Sequence, residues 1–332
     1  MPADGLVIRR YRPGDETAIL DLFNRSFDAR GTIEHWRWKY EDDPYGGHRI
    51  SIATDDGALA AHYAGYPVAF RAGGTDLAAH QIGDTMTDPS VRHLGRGPTS
   101  ILGRTSQHFY ETFCERQVAF NYGFNVSNIQ KFSVRFLRAH RVEDVAYRRR
   151  DLRSDPLQAL GRVEKYARGV GLELVRSASA EWDELFDRVS PHYGFLVRRD
   201  ARYATWRYFG RPDVTYFVVT MRKWRRLAGW LVFVVRHDPD RLLVVDLFVD
   251  PDHADIVEAA LRHLTAVYRV GLVEIWCPAR PRWIGEMMDA LRLVRCPEPQ
   301  DLGVMCVPFL DAAAVERIRD SLYYSMADSD LF

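Results

Sequence analysis

The chain has 332 residues, with 45 Lys+Arg against 45 Asp+Glu and a formal net charge of zero. At roughly 150 residues per domain that length suggests two domains, and a hydrophobic share of 47% is enough to fill two cores. The balanced charge argues against a protein built to coat nucleic acid or an anionic membrane, and four scattered cysteines without a CxxC argue against a disulfide framework or a thiolate zinc site.

Residues 6–9 read as a short strand. Residues 14–27 read as a helix, because Ile19, Leu22, Phe23 and Phe27 recur at helical spacing. A second short helix holds Trp36, Trp38 and Tyr40 and closes at Asp43-Pro44. Residues 49–54 and 58–71 read as antiparallel strands joined at Asp55-Asp56-Gly57, a hairpin signal. A strand follows at 77–87, then a helix opened by Pro98 and running to about 116, with Ile101, Thr105, Phe109 and Phe113 in one row. A strand at 117–124, a helix at 128–138 and a strand at 142–150 complete the first half. The Met1–Gly5 start lacks a basic-then-apolar pattern, and no stretch approaches roughly 18 apolar residues. The expectation is a cytoplasmic protein, monomeric or homodimeric, that binds neither membrane nor nucleic acid.

The second half repeats this order. Trp206-Arg207-Tyr208 echoes Trp38-Lys39-Tyr40 at an offset of 168, and Asp246-Leu247-Phe248-Val249-Asp250-Pro251 echoes Asp84-Thr85-Met86-Thr87-Asp88-Pro89 at an offset of 162. Strands at 214–221 and 226–236, a helix at 254–268 and a strand at 272–277 take matching places. A repeat of half the chain points to a duplicated domain. The junction is placed near Asp151–Pro156, giving domains 1–152 and 153–332.

Between strand 77–87 and the helix opened by Pro98 lies Arg92-His93-Leu94-Gly95-Arg96-Gly97. A glycine-containing loop there exposes backbone N–H groups, and the helix N-terminus adds partial positive charge, which together suit phosphate oxygens. Arg92 and Arg96 add charge. The bland alternative is a tight strand-to-helix turn.

With these residues the sequence resembles the GNAT N-acyltransferase superfamily, whose acyl-CoA loop reads Arg/Gln-x-x-Gly-x-Gly/Ala; Arg92, Gly95 and Gly97 fill it. The resemblance covers nearly the whole chain as a tandem GNAT. It implies an α/β fold of two GNAT-like domains, each a mixed, mostly antiparallel sheet flanked by helices. It also implies acetyl-CoA or another acyl-CoA as co-substrate. Thr85, Met86 and Thr87 would then face the pantetheine, and Leu94, Gly95, Arg96, Gly97, Pro98 and Thr99 the pyrophosphate. Phe120-Asn121-Tyr122-Gly123-Phe124-Asn125 resembles the family's "GFPN" segment, which puts Asn125 near the acceptor, and Asn128 takes the place of the CoA-facing Asn. The second half has no glycine after Asp250-Pro251, and its acidic residues would repel a pyrophosphate, so it is expected to bind no CoA.

Acyl transfer to an amine needs a positioned thioester and a donor for the developing oxyanion. Asp84 and His80 share strand parity and are candidates for a general base; the structural alternatives are a carboxylate held by a loop amide and an ordinary strand histidine. The family's acid, a Tyr seven residues after the Asn, is replaced by Arg135, with Phe136 beside it, leaving Tyr122 or Tyr110 as substitutes. Without that Tyr an acceptor less basic than lysine is favoured: a small-molecule amine, possibly an amino sugar. The rivals are a protein or peptide amine acetyltransferase, a FemABX-like transferase, against which the retained loop argues, and a non-catalytic acyl-CoA-binding scaffold. The C-terminal stretch Tyr323–Phe332 reads either as a frayed tail or, by its resemblance to tandem GNAT tails, as carrying Asp328 and Asp330 into the acceptor cleft. No His/Cys/Asp set has metal spacing.

Overall fold

The computed structural model describes residues 5–28, 30–157, 169–310 and 314–332. They divide into two units.

The first unit comprises the described residues of Met1–Phe70, Asp76–Asp144 and Gln300–Arg319. Its elements are β1 (Leu6–Arg10), α1 (Glu16–Phe27), α2 (Ile33–Tyr40), β2 (Arg49–Asp55), β3 (Ala58–Ala72), β4 (Thr75–Thr87), α3 (Ile101–Phe109), β5 (Phe120–Val126), α4 (Ser127–Phe136) and β6 (His140–Asp144). Strand Leu302–Pro308 lies between β5 and β6, so the sheet runs β1-β2-β3-β4-β5-(302–308)-β6. Apolar residues of α1 and α2 (Ile19, Leu22, Trp36, Tyr40) cover one sheet face with Ile50, Ile52, Ala64 and Met86. Phe109, Tyr110 and Phe113 from the α3 side cover the other with Tyr63 and Met305. The β2–β3 turn is the expected hairpin: Asp56 and Gly57 both have positive φ, at 48° and 85°, as a two-residue I′ turn demands.

The second unit comprises the described residues of Arg71–Thr75, Val145–Pro299 and Asp320–Phe332. Its sheet runs Val294–Arg295, Tyr147–Asp151, Leu272–Trp276, Asp240–Val249, Arg226–His237, Phe217–Lys223, Val170–Val175. Trp182 of helix Glu181–Val189 stacks on Trp230 at 4.1 Å, and Phe248 packs beside it.

Each sheet is mixed and mostly antiparallel with helices packed on it, as expected. The division of the chain differs from the expected 1–152 and 153–332. The strand expected at 142–150 is two strands, one in each sheet, and 302–308 returns to the first sheet. A boundary drawn where composition changes cannot register such an exchange. The helix expected from Pro98 to 116 is also divided. A short turn at Gly97–Thr99 precedes α3, whose N-cap Ser100 accepts from Gly103 N at 3.1 Å. After Phe109 the helix widens, with Glu115 N reaching Tyr110 O at 2.9 Å.

Candidate active site

β4 and β5 are parallel neighbours, paired only at Ala79–Phe120, His80–Asn121 and Gln81–Tyr122. Beyond Gln81 this ladder ends, and among the described residues the last residues of β4 face no strand on that side. Which groups they present follows from alternation. Asp88 N donates to Ala60 O of β3 at 2.8 Å, so the N–H and C=O groups of Thr87 and Thr85 point away from β3 toward the open side. The same alternation turns the Met86 backbone toward β3, and its side chain is buried against α1 and α2. The groups turned to the open side are therefore those of Thr85 and Thr87, with Met86 as core.

The loop Arg92–Gly97 is exposed apart from half-buried Leu94 and Gly97. Gly95 and Gly97 have φ of 74° and 55°, a region L side chains rarely adopt. A Cβ on Gly95 would stand 2.4 Å from Thr99 O, and one on Gly97 would stand 2.7 Å from the Phe136 ring. A third glycine, Gly103, lets α3 pack on the loop: its Cβ would stand 2.4 Å from Gly97 O. Arg92 Nε donates to Thr87 O at 2.9 Å, and Thr99 Oγ1 donates to Arg96 O at 3.0 Å. Pro98 and Thr99 form the short turn ahead of the Ser100 cap. Among the described residues the amides of Gly95 and Gly97 have no backbone acceptor. Loop and edge fit an acyl-CoA: a cradle that a Cβ would fill, then an unpaired strand edge. Asn128 lies in the first turn of α4, and its side chain is outside the described residues.

The expected catalytic side chains are placed differently. His80 is 2% exposed and contacts Asn121 Oδ1 at 3.2 Å and Cys114 Sγ at 3.6 Å. Burial, reinforced by the Arg49 charge, pushes its pKa down from 6.5 to about 4. It is a buried neutral ring on the α3 face. Asp84 does not share that face, because it sits at φ 49° and breaks the alternation of β4. Its carboxylate accepts from Lys39 Nζ at 2.9 Å and Tyr40 OH at 2.7 Å. Burial alone would raise the Asp84 pKa, but the Lys39 ammonium outweighs it and holds the carboxyl below the usual range, so Asp84 is an anchored anion and a weak base. Tyr122 is 4% exposed inside a ring cluster with Phe70, Phe120 and Phe124. Tyr110 is equally buried, with its OH 2.9 Å from Tyr63 OH. Asn125 is half-buried opposite Gly303, and its carbonyl accepts from Gln130 Nε2 at 2.7 Å.

His80 carries a stability consequence. The unfolded chain takes up a proton near pH 6.5, the folded ring only near 4. Between those values the unfolded state binds more protons, so stability falls as pH falls, by at most about 3 kcal/mol. Urea unfolding of the wild type and His80→Asn at pH 7 and pH 4.5 should show a smaller acid loss in the variant; equal losses contradict the placement.

The second unit repeats the frame and closes the edge. Tyr208 OH donates to Asp246 at 2.6 Å as Tyr40 does to Asp84, and Asp250 N donates to Ala228 O at 2.8 Å as Asp88 N does to Ala60 O. Strand Asp240–Val249 pairs with Leu272–Trp276 only as far as Val244. The Thr85 and Thr87 positions are Leu247 and Val249. Val249 N donates to Tyr193 OH at 2.8 Å, Tyr193 OH donates to Val249 O at 3.0 Å, and Tyr323 OH donates to Leu247 O. Side chains of the unit itself occupy this edge, whereas among the described residues of the first unit only the Thr87 carbonyl is taken, by Arg92 Nε. The C-terminal stretch is therefore not frayed: residues 322–329 are buried, and Asp328, 2% exposed, is spent on Arg199 and Ser325 N. Asp330 is half-buried where the segment emerges.

The sequence profile of the acetyltransferase (GNAT) domain family matches residues 7–134. Residues 7–134 are a GNAT acetyltransferase domain. Solved structures share the fold over both halves. A probable N-acyltransferase from Enterococcus faecalis is 13% identical with a TM-score of 0.66, over 92% of this chain and 71% of its own. A GCN5-related N-acetyltransferase from Anabaena variabilis is 14% identical with a TM-score of 0.65, over 91% and 72%. The Saccharomyces cerevisiae N-myristoyltransferase with bound myristoyl-CoA is 11% identical with a TM-score of 0.57, over 92% and 83%. No curated protein matches the sequence. The GNAT acetyltransferase match over residues 7–134 supports an acyl-CoA-dependent N-acyltransferase, and no helix among the described residues is long and apolar enough to cross a membrane.

Proposed function

We propose that the first unit binds acetyl-CoA, or another short acyl-CoA, and passes the acyl group directly to the amine of a small molecule such as an amino sugar. The observation that carries this is the contrast between the copies: among the described residues the edge at Thr85 and the Thr87 N–H is open beside a glycine loop, with the Thr87 carbonyl alone taken by Arg92 of that loop, and the same edge at Leu247 and Val249 is capped by Tyr323 and Tyr193. Acyl-CoA supplies an activated thioester. The amides of the Gly95–Gly97 loop, the first turn of α3, and Arg92 and Arg96 hold the pyrophosphate. The Thr87 N–H pairs with the pantetheine, and Thr85 orients the thioester. His80 and Tyr122 are sealed, and Asp84 is anchored to Lys39, so proton abstraction by these groups has little part. The acceptor then has to arrive neutral, which favours amines well below lysine's pKa of ~10.4.

The test is release of the CoA thiol on mixing the protein with acetyl-CoA and two sets of acceptors, amino sugars and lysine peptides. Turnover with an amino sugar, rising steeply with pH up to the amine's own pKa, supports the reading. Turnover with lysine peptides alone rejects the small-molecule acceptor, and acetyl-CoA binding without turnover on any amine rejects catalysis.

A further inference from the structure

One buried side chain governs the peptide that joins Asp84 to Thr85. His62 is 0% exposed, and its Nδ1 lies 2.7 Å from the Asp84 carbonyl oxygen. A carbonyl only accepts, so Nδ1 carries the proton. Nε2 is buried without a partner among the described residues, and burial lowers the pKa of the ring, which keeps it neutral. Asp84 itself sits at φ 49°, a conformation that costs an L residue energy and persists only where its surroundings enforce it. In a trans peptide C=O and N–H point in opposite directions. The bond from His62 to the Asp84 carbonyl therefore sends the Thr85 N–H the other way, onto the open edge.

The second unit provides the contrast. Trp230 stands at the His62 position, at the same offset of 168 that relates Tyr208 to Tyr40. Its ring N–H donates to the Asp246 carboxylate at 3.3 Å instead of to a backbone carbonyl. Asp246 is not left-handed. The left-handed aspartate and the ring clamped on its carbonyl occur in the copy with the glycine loop and are missing from the copy whose edge is capped.

We propose that His62 is a positioning residue for acyl transfer: by holding the Asp84 carbonyl it aims and polarises the Thr85 N–H as hydrogen-bond donor to the thioester carbonyl oxygen. The inference rests on the acyl-transfer reading of the first unit. A donor on the carbonyl draws electron density from the amide nitrogen, so the N–H at the other end donates more strongly. A donor fixed beforehand at the place where negative charge develops needs no reorganisation during the reaction. His62 touches no substrate and acts through the peptide alone.

The experiment uses the full chain and acetyl-CoA labelled with 13C at the thioester carbonyl. The isotope-edited infrared stretch of the bound carbonyl is compared with that of free acetyl-CoA, and affinity is measured by calorimetry. In the wild type the band moves to lower frequency. In His62→Leu, or His62→Met should the leucine variant not fold, the band returns toward its free position while affinity changes by less than about threefold, and kcat with an accepted amine falls about 100-fold at unchanged KM for acetyl-CoA. His62→Gln, which keeps an N–H donor, restores part of the shift. A band in the leucine or methionine variant as displaced as in the wild type overturns the inference, as does an undisplaced band in wild type that binds acetyl-CoA. Failure of the wild type to bind acetyl-CoA is distinguishable from both, because it overturns the acyl-transfer reading and the inference with it.

Discussion

Gly97→Glu is expected to abolish acetyl-CoA binding, with a loss of about 100-fold or more in affinity. Two effects combine. The backbone at φ 55° disfavours any side chain, and a Cβ there would stand 2.7 Å from the Phe136 ring, so the loop has to move. The added carboxylate also lies where a pyrophosphate would sit, at the positive end of α3. Gly97→Ala separates the two effects, since it brings the strain and the collision without the charge, and it should lose less. Arg96→Glu brings the charge without the strain, because Arg96 is exposed, and it should weaken binding while leaving the melting temperature unchanged. Calorimetric titration of the three variants checks this. Wild-type affinity in Gly97→Glu would mean that the loop is only a turn.

Arg199→Met should be the most damaging single change to the second unit. Arg199 is 0% exposed, with Nε 3.1 Å from Asp246 Oδ1 and Nη2 on Asp328. Asp246 also accepts from Tyr208, Trp230 and Ser325. Removing the guanidinium leaves two buried carboxylates facing each other without a cation, and breaking a buried pair in this way costs about 3–5 kcal/mol. The unit's melting transition should fall by about 10 °C. Arg198→Ala is the control: its pair with Asp200 is partly solvated at 2.7 Å and is worth under ~1 kcal/mol. Because Arg199 also holds the C-terminal segment through Asp328, proteolysis near Tyr323–Asp330 should accelerate in Arg199→Met. An unchanged melting temperature would contradict the ion network.

The frame of the site was legible from the sequence. The two echoes, Trp38-Lys39-Tyr40 with Trp206-Arg207-Tyr208 and the Asp84 run with the Asp246 run, are the two ends of the Tyr–Asp hydrogen bond present in each unit. The spacing of Gly95 and Gly97 located the loop, and the structure gives both glycines positive φ. Parity failed at β4 for a physical reason. Alternation assumes a regular strand, and the left-handed Asp84 sends Asp84 and His80 to opposite faces. Neither residue's chemistry announces the bulge. Met86 was read as part of the pantetheine edge because sequence position does not say which backbone groups of a strand face a neighbour. The role of His62 has no sequence signature, because its partner is a backbone carbonyl, which every residue has. The capping of the second edge by Tyr193 and Tyr323, and the return of 302–308 to the first sheet, depend on contacts far apart in the chain that no local pattern encodes.

The central claim is one acyl-CoA site per chain, in the first unit. Calorimetric titration of the purified protein with acetyl-CoA tests it most directly. The account expects saturable binding at about one site per chain, lost in Gly97→Glu. Two sites per chain would contradict the capped edge of the second unit, and no binding would contradict the open edge of the first.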